Sequence, residues 1–210
     1  MNRHLFSADE FRRRALTQMG GPVETSWRDH GDFLLNPGIV PYLETLHLKD
    51  AAVLVPVVDD GDDASVILTQ RTASLRKHSG QVAFPGGAVD PEDRSVEVAA
   101  LREAQEEIGL DPRFVETIGR LPHYMAMSGF RITPVLAVVK PGFELMANPD
   151  EVESVFEVPL SFLMNPSNHA RGRGHWQGEE RHFYRMPYGD HNIWGITAGI
   201  LRMLYERLYA

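Results

Sequence analysis

The chain has 210 residues, 43% of them hydrophobic and 24% charged, which suits one domain with a sizeable core. Its formal net charge of -8 argues against a protein that binds nucleic acid through a broad basic surface. An anionic ligand would therefore have to be bound by a metal ion or by a small cluster of Arg and Lys. The sequence has no cysteine, which excludes disulfides, thiolate zinc sites and cysteine nucleophiles.

Residues 1–50 predict a short helix followed by an irregular lead-in. Ser7 and Glu10 have the spacing of a capping box, and Gly20 and Gly21 are expected to end the helix. Scattered proline, glycine and aspartate without a clean period predict the irregular part.

The sequence predicts no membrane partner. Residues 1–20 lack the apolar core of a secretory signal, and the apolar runs from Ala51 and Thr133 are too short to span a bilayer. We therefore expect a soluble protein, and the lack of cysteine suits a cytoplasmic location.

Residues 51–71 predict a hairpin, because two β-branched runs flank an Asp/Gly cluster. The first run is apolar on both faces, so this hairpin is expected at the centre of its sheet.

The next unit is predicted to be strand, glycine loop and helix. A short strand is expected to stop at Pro85, Gly86 and Gly87. The following helix has Ser95 as its N-cap and Gly109 as its left-handed stop.

Three strands are predicted next, at 114–121, 131–140 and 152–160, with a helix after Pro159. A polar loop at 165–183 and an amphipathic helix at 193–208 are expected to follow. Because strands and helices interleave without a regular βαβ rhythm, the pattern favours an α/β fold with a mixed sheet covered by helices.

The late polar segment contains histidines whose spacings fit no zinc pattern, so solvent exposure is favoured over a metal role. Trp176, Phe183 and Tyr184 are compatible with adenine stacking, but their residue types favour a strand.

Three glutamates crowd the helix that begins after Ser95. Glu103, Glu106 and Glu107 occupy one arc, and Glu107 falls at the border of the apolar stripe. Arg102 can relieve Glu106 at i,i+4 but does not neutralise three carboxylates. A divalent cation would, and carboxylates without nearby His or Cys suit Mg2+ or Mn2+.

Alone, this acidic pattern is more typical of a solvated helix face. The glycines directly upstream change that balance. Gly86 and Gly87 can turn the backbone through positive φ and bring a carbonyl or amide close to a metal or phosphate.

Together these residues resemble the Nudix box, whose usual form is G, five residues, E, seven residues, then R-E-U-x-E-E-x-G-U with U aliphatic. Gly87 opens the box and the residues from Arg102 to Leu110 match its second half. Two departures are present. Asp93 stands where the first glutamate is expected, and the spacer to Arg102 is one residue longer.

A second motif is similar to the coenzyme A pyrophosphatase branch of that superfamily, whose pattern is L-L-T-x-R-[SA]-x3-R-x3-G-x3-F-P-G-G. Ile67 and Thr72 are the two mild departures from it. The positions that match are Leu68, Thr69, Arg71, Arg76, Gly80, Phe84, Pro85, Gly86 and Gly87.

The resemblance covers residues 51–110 and continues to about 165, leaves residues 1–50 unmatched, and implies an α/β/α sandwich with a mixed sheet. Together with the length of the chain, it predicts one Nudix hydrolase domain over 1–210. Its expected parts are an N-terminal helix and lead-in at 1–50, a core at 51–165 with the box at 87–110, and the polar loop and C-terminal helix at 166–210.

The resemblance also implies Mg2+ or Mn2+ as cofactor. Glu103 and Glu107 are its expected main ligands, with Glu106 a further ligand and the carbonyl of Gly86 completing the site. Arg102 is expected to orient Glu106.

The implied substrate is a small molecule, coenzyme A or an acyl-CoA, cleaved at its diphosphate to 3',5'-ADP and 4'-phosphopantetheine or its acyl form. Arg71 and Arg76 are candidates for its 3'-phosphate or diphosphate, because guanidinium groups bind phosphates bidentately, and Gly87 is expected to border it. From spacing alone, a surface charge pair is an equal alternative for the two arginines.

The general base stays open between Glu151, Glu153 and a water activated at the metal and held by Glu106; Glu151 is our candidate. A homodimer also stays open, because the terminal helices can pack on their own sheet or on another copy.

Two other functions compete with this interpretation. One is a Nudix hydrolase acting on ADP-ribose, a dinucleoside or a nucleotide triphosphate. The other is a binding module that kept the fold and lost catalysis, against which the intact Glu103, Glu106 and Glu107 argue.

Overall fold

A mixed sheet with helices on both faces forms the centre of the structure. The computed structural model describes residues 4–18, 30–73, 80–176 and 178–210. The strands are β1 (Lys49–Val58), β2 (Ser65–Arg71), β3 (Val82–Ala83), β4 (Gly86–Ala88), β5 (Val115–Arg120), β6 (Tyr124–Met125), β7 (Phe130–Val139), β8 (Val152–Pro159), β9 (Ala170–Trp176), β10 (Glu179–Tyr188) and β11 (His191–Trp194). The α-helices are α1 (Ala8–Gln18), α2 (Val40–Thr45), α3 (Val96–Ile108), α4 (Leu160–Leu163) and α5 (Ile196–Leu208).

The main sheet runs in the order β3-β2-β1-β7-β5, and β4 pairs with β1, β6 with β7 and β8 with β2. β1 is parallel to β7 along its whole length, whereas β1 and β2 form the predicted antiparallel hairpin. Since β1 lies between β2 and β7, the prediction of a central hairpin is confirmed.

The two faces of β1 enter different hydrophobic cores. Val55 and Val57 are buried with the apolar residues of α1 and α5, whereas Leu54 and Val58 are buried against α3. The alternation follows from the period of two in a strand. An α/β/α arrangement with a mixed sheet is therefore confirmed.

The first helix begins as predicted. Ser7 Oγ accepts a hydrogen bond from the Glu10 N–H at 3.3 Å, so Ser7 is the N-cap. The carboxylate of Glu10 instead accepts from Arg13 and Arg14, at 2.7 Å each, so only half of the capping box forms. The predicted stop at Gly20 and Gly21 lies outside the described residues.

The predicted lead-in is less irregular than expected where it is described. Residues 30–50 contain 3-10 turns at Asp32–Leu34 and Pro37–Ile39, and then α2. Pro37 and Pro41 each lie in the first turn of their helices. In this turn the backbone N–H that proline lacks would have no partner within the helix.

The prediction of a polar loop at 165–183 was wrong. After a 3-10 turn at Pro166–Asn168, β9, β10 and β11 form a second, antiparallel sheet. Met186 is the one buried residue of β10, and most of the other residues of this strand are polar, so its sequence resembles that of a loop. The Phe183 ring covers Gly172 on β9, where a Cβ would approach it to 2.5 Å.

The same sheet explains why the last helix starts later than predicted. Ile193 and Trp194 pair with β10. Gly195, with φ 64°, changes the direction of the chain after β11, and α5 begins at Ile196. The strand prediction for Trp176, Phe183 and Tyr184 is confirmed. In the described ranges, none of the helices has the length and apolar character needed to cross a membrane.

Candidate active site

Helix α3 presents the acidic residues, and its two ends are as predicted. Ser95 Oγ accepts from the Val98 N–H at 3.3 Å, and Gly109 adopts the left-handed conformation with φ 67°. Ala100 and Ala104 are buried against the sheet, which turns the glutamate arc toward β4.

Glu107 is the most deeply buried of the three glutamates, with 1% of its side chain exposed. Its Oε1 accepts from Arg71 Nη1 at 3.0 Å and its Oε2 from the Gly86 N–H at 3.1 Å. Burial is the largest cause that raises the pKa of Glu107 to about 7; Gly86 and Arg71 oppose it, and the charges of Glu103 and Glu151 add to it. Burial beside other carboxylates therefore outweighs the stabilisation that Gly86 and Arg71 give to the charged form of Glu107.

Glu103 lies directly against Gly87. A Cβ on Gly87 would lie 2.5 Å from the carboxyl carbon of Glu103, so glycine is needed there to admit the carboxylate. Burial also raises the pKa of Glu103. Gly87 thus shapes the acidic site through close approach.

The prediction of a glycine loop was wrong, whereas the expected positive φ and the close approach of a backbone amide are confirmed for Gly86. Gly86 and Gly87 belong to β4, which pairs with β1, and of the two only Gly86 has positive φ, at 156°. A Cβ on Gly86 would collide with the carbonyl oxygen of Ala52 and come within 2.6 Å of Val53 Cα. Gly86 is therefore explained by its positive φ and its packing against β1, and Gly87 by its packing against Glu103 of α3.

Arg102 joins Asp93 to the acidic arc. Its Nε and Nη2 donate to the two carboxylate oxygens of Asp93 at 3.1 and 2.8 Å, while Nη1 donates to Glu103 at 2.9 Å and to Glu106 at 3.2 Å. This pairing is the main cause that lowers the pKa of Asp93. The expected contact of Arg102 with Glu106 is present. The sequence analysis did not predict that Asp93 holds Arg102, although Asp93 occupies the position of the first glutamate of the box.

Of the two candidate bases, Glu151 is the one whose position near the acidic arc is evident. The Asn148 N–H donates to the Glu107 carbonyl at 2.8 Å, and the Glu151 N–H donates to the Asn148 carbonyl at 3.0 Å. The negative charge of Glu151 contributes to the raised pKa of both Glu103 and Glu107. Glu153, on β8, is exposed to solvent.

Of the two arginines predicted to bind phosphate, Arg71 lies within the described residues. Arg71, at the end of β2, reaches the buried Glu107 and also borders a cavity shared with Gly86 and Gly87. Arg76 lies outside the described residues.

The donor chemistry fits a hard divalent cation, because the acidic arc offers carboxylate oxygens and no soft ligand. As they stand, no three acidic or histidine side chains of the described residues converge closely enough to hold one ion. Glu103 and Glu106 are held by Arg102, and Glu107 by Arg71. Coordination of an ion by all three glutamates would therefore require some of these arginine contacts to be exchanged.

The sequence model of the NUDIX domain matches residues 48–176, a range that includes the whole acidic helix and the glycines before it. The chain belongs to the Nudix hydrolase family. Nudix hydrolases generally need divalent metal ions, which agrees with the carboxylate donor set. Membership supports hydrolysis of a nucleoside diphosphate derivative.

This Nudix hydrolase is 47% identical over 161 residues to the uncharacterized Nudix hydrolase NudL of Citrobacter koseri, a match that covers 77% of this chain and 83% of the relative. It is 44% identical over 171 residues to NudL of Salmonella heidelberg, covering 81% and 88% respectively. The NUDIX domain of Shewanella oneidensis NrtR, solved in complex with ADP ribose, has a TM-score of 0.50 and 18% identity over 84% of this chain and 97% of that one. This likeness shows a common fold.

Proposed function

We propose that this Nudix hydrolase cleaves the diphosphate bond of coenzyme A or an acyl-CoA, with Mg2+ or Mn2+, to 3',5'-ADP and 4'-phosphopantetheine or its acyl form. The observation that carries the proposal is the 3.0 Å hydrogen bond between Arg71 and Glu107. Arg71 belongs to the motif similar to the coenzyme A pyrophosphatase branch, and Glu107 to the Nudix box. Their contact supports the proposal that the two motifs act at one site.

The glutamates are the proposed metal-binding residues. Glu103 and Glu107 are the main ligands, Glu106 is a further ligand, and the carbonyl of Gly86 completes the set. A bound divalent cation would offset the charge of the diphosphate and lower the pKa of a water. The raised pKa of Glu107 supports this assignment, because a buried carboxylate beside other carboxylates favours a cation.

Arg71 is the proposed contact to a phosphate of the substrate. It borders the cavity beside Gly86 and Gly87, and it has further donors besides the one that binds Glu107. Arg76 remains a second candidate for the same task. A diphosphate linkage carries crowded negative charge, so a planar guanidinium at its edge both orients and stabilises it.

Two further roles follow from the contacts of the acidic arc. Arg102 is proposed to position Glu106, and its bond to Glu103 extends this role to a second ligand. Glu151 is proposed as the general base, because its charge reaches Glu103 and Glu107 while it belongs to a segment outside the helix.

A substrate comparison tests the proposal. We expect hydrolysis of CoA in the presence of Mg2+ at a kcat/KM well above that for ADP-ribose, and we expect Glu107→Gln to abolish most of it. Glu153→Gln, an exposed acid on β8, is the control and should retain turnover. ADP-ribose as the better substrate would contradict the CoA assignment, and full activity of Glu107→Gln would contradict the role of the acidic helix.

A further inference from the structure

An apolar cavity of about 250 Å3 adjoins the acidic site. It lies between β1, β4, the beginning of β7, and the junction of β11 with α5. Its apolar walls include Val53, Phe130, Ile132, Trp194, Ile196 and Ile200.

The cavity and the acidic site share three residues. Arg71 borders the cavity and donates to Glu107, Gly86 borders it and donates to the same carboxylate, and Gly87 borders it while lying against Glu103. A substrate whose diphosphate lies at the glutamates must therefore place one of its neighbouring groups at this cavity.

The chemistry of the wall selects the kind of group. Among the described residues that line the cavity, Arg71 is the one charged side chain, and it already pairs with Glu107. The neutral polar residues of the wall are Gln81, Ser128 and Thr197, none of which carries a positive charge. The hydroxyl of Thr197 donates its hydrogen to the Val82 carbonyl at 2.9 Å. Because Arg71 serves Glu107 and the diphosphate in the proposed site, a 3'-phosphate dianion that entered the cavity would lose hydration without a cation of its own. An uncharged, apolar group gains from entering such a cavity.

The two halves of coenzyme A differ in this respect. The adenosine half carries the 3'-phosphate, whereas the pantetheine half begins beside the diphosphate with a methylene and a carbon bearing two methyl groups. We propose that the cavity takes the pantetheine side of the substrate, with its branched carbon against Trp194 and Phe130. This inference rests on the proposed function and adds to it the orientation of the substrate.

Part of this cavity comes from a region beyond the NUDIX match at 48–176. Trp194 lies at the end of β11, and its ring packs against Phe183 at a centroid distance of 5.1 Å and an angle of 58°. Ile196 and Ile200 come from α5. The second sheet and the last helix thereby contribute to substrate selection.

The two reaction products test this orientation, since each carries one half of the substrate. Inhibition of CoA hydrolysis by 4'-phosphopantetheine and by 3',5'-ADP is measured for the wild-type protein and for Trp194→Ala. We expect the inhibition constant of 4'-phosphopantetheine to rise about tenfold in the variant and that of 3',5'-ADP to change less than twofold. Trp194→Phe should stay near the wild type, and Tyr42→Ala, an exposed aromatic on α2, controls for truncation.

Phe130→Ala is the second variant, and we expect it to affect the same product, so the test does not depend on the folding of one protein. Weaker inhibition by 3',5'-ADP alone, or no change for either product, would overturn the orientation. Absence of CoA turnover by the wild-type protein would overturn the proposed function itself and this inference with it.

Discussion

Arg102 and Asp93 form a two-pronged ion pair, in which Nε and Nη2 of the arginine donate to the two carboxylate oxygens at 3.1 and 2.8 Å. The same guanidinium donates to Glu103 and Glu106, so Asp93 anchors the group that holds two glutamates. Asp93 stands where the Nudix box usually has the longer glutamate, and the pair forms all the same.

Replacing Asp93 by Asn should weaken metal-dependent turnover. The neutral amide offers a single acceptor oxygen, which frees Arg102 to compete more strongly for Glu103 and Glu106. Loss of such a supporting contact typically costs about 10- to 100-fold in metal affinity or activity. The measurement is the Mg2+ dependence of the hydrolysis rate, with Asp90→Asn as control because Asp90 is 3.5 Å from Arg102 and more exposed. Equal effects of the two substitutions would contradict the anchoring role.

The two glycines of β4 should respond differently to alanine. In Gly87→Ala the new Cβ meets the end of the flexible Glu103 side chain, so we expect activity to fall at least tenfold with little loss of stability. In Gly86→Ala the Cβ meets the backbone of β1, so the free energy of unfolding should fall by about 1–3 kcal/mol or more.

Urea unfolding and CoA turnover of both variants separate these effects. Gly38→Ala is the control, because no atom lies within 4 Å of the added Cβ. A larger loss of stability in Gly87→Ala than in Gly86→Ala would show that our explanation of the two glycines is wrong.

The metal-free protein should lose stability as pH rises, through Glu107. Its pKa is raised from 4.5 to about 7 in the folded protein, so the unfolded state ionises first and folding is penalised above pH 4.5, fully so above pH 7. Between pH 5 and pH 8 this amounts to about 2–3 kcal/mol. The check is urea unfolding with EDTA, compared with Glu107→Gln, which should lack this part of the pH dependence. Identical pH profiles would contradict the prediction, and Mg2+ should stabilise the wild type most at pH 8.

Glu151→Gln should lower kcat by about 10^2- to 10^4-fold if Glu151 removes the proton of the attacking water. Its pH-rate profile should also lose the acidic limb, which a merely structural role would not change. Glu153→Gln is the matched control on an exposed position two residues away. Normal kcat for Glu151→Gln with a lowered kcat for Glu153→Gln would identify Glu153 as the base instead, and normal kcat for both would leave the water held by Glu106 as the better account.

The elements that sequence patterns predicted well have local causes. Ser95 and Gly109 bound α3 through contacts within a few residues, and the apolar run of β1 shows its burial on both faces. The burial of Glu107 was suggested by its place at the edge of the apolar stripe.

The features that the patterns missed depend on contacts between distant segments. Arg71 and Glu107 are 36 residues apart, so their bond follows from β2 and α3 meeting in the fold. The composition of β9 and β10 is that of a polar loop. The two strands are stabilised by the ring of Phe183, which packs over Gly172 on the other strand, and composition does not reveal this contact.

Product analysis by mass spectrometry after incubation with CoA and Mg2+ tests the central claim most directly. The site formed by Arg71 and the acidic helix predicts equal amounts of 3',5'-ADP and 4'-phosphopantetheine. Intact CoA under conditions in which the same protein cleaves ADP-ribose would contradict it.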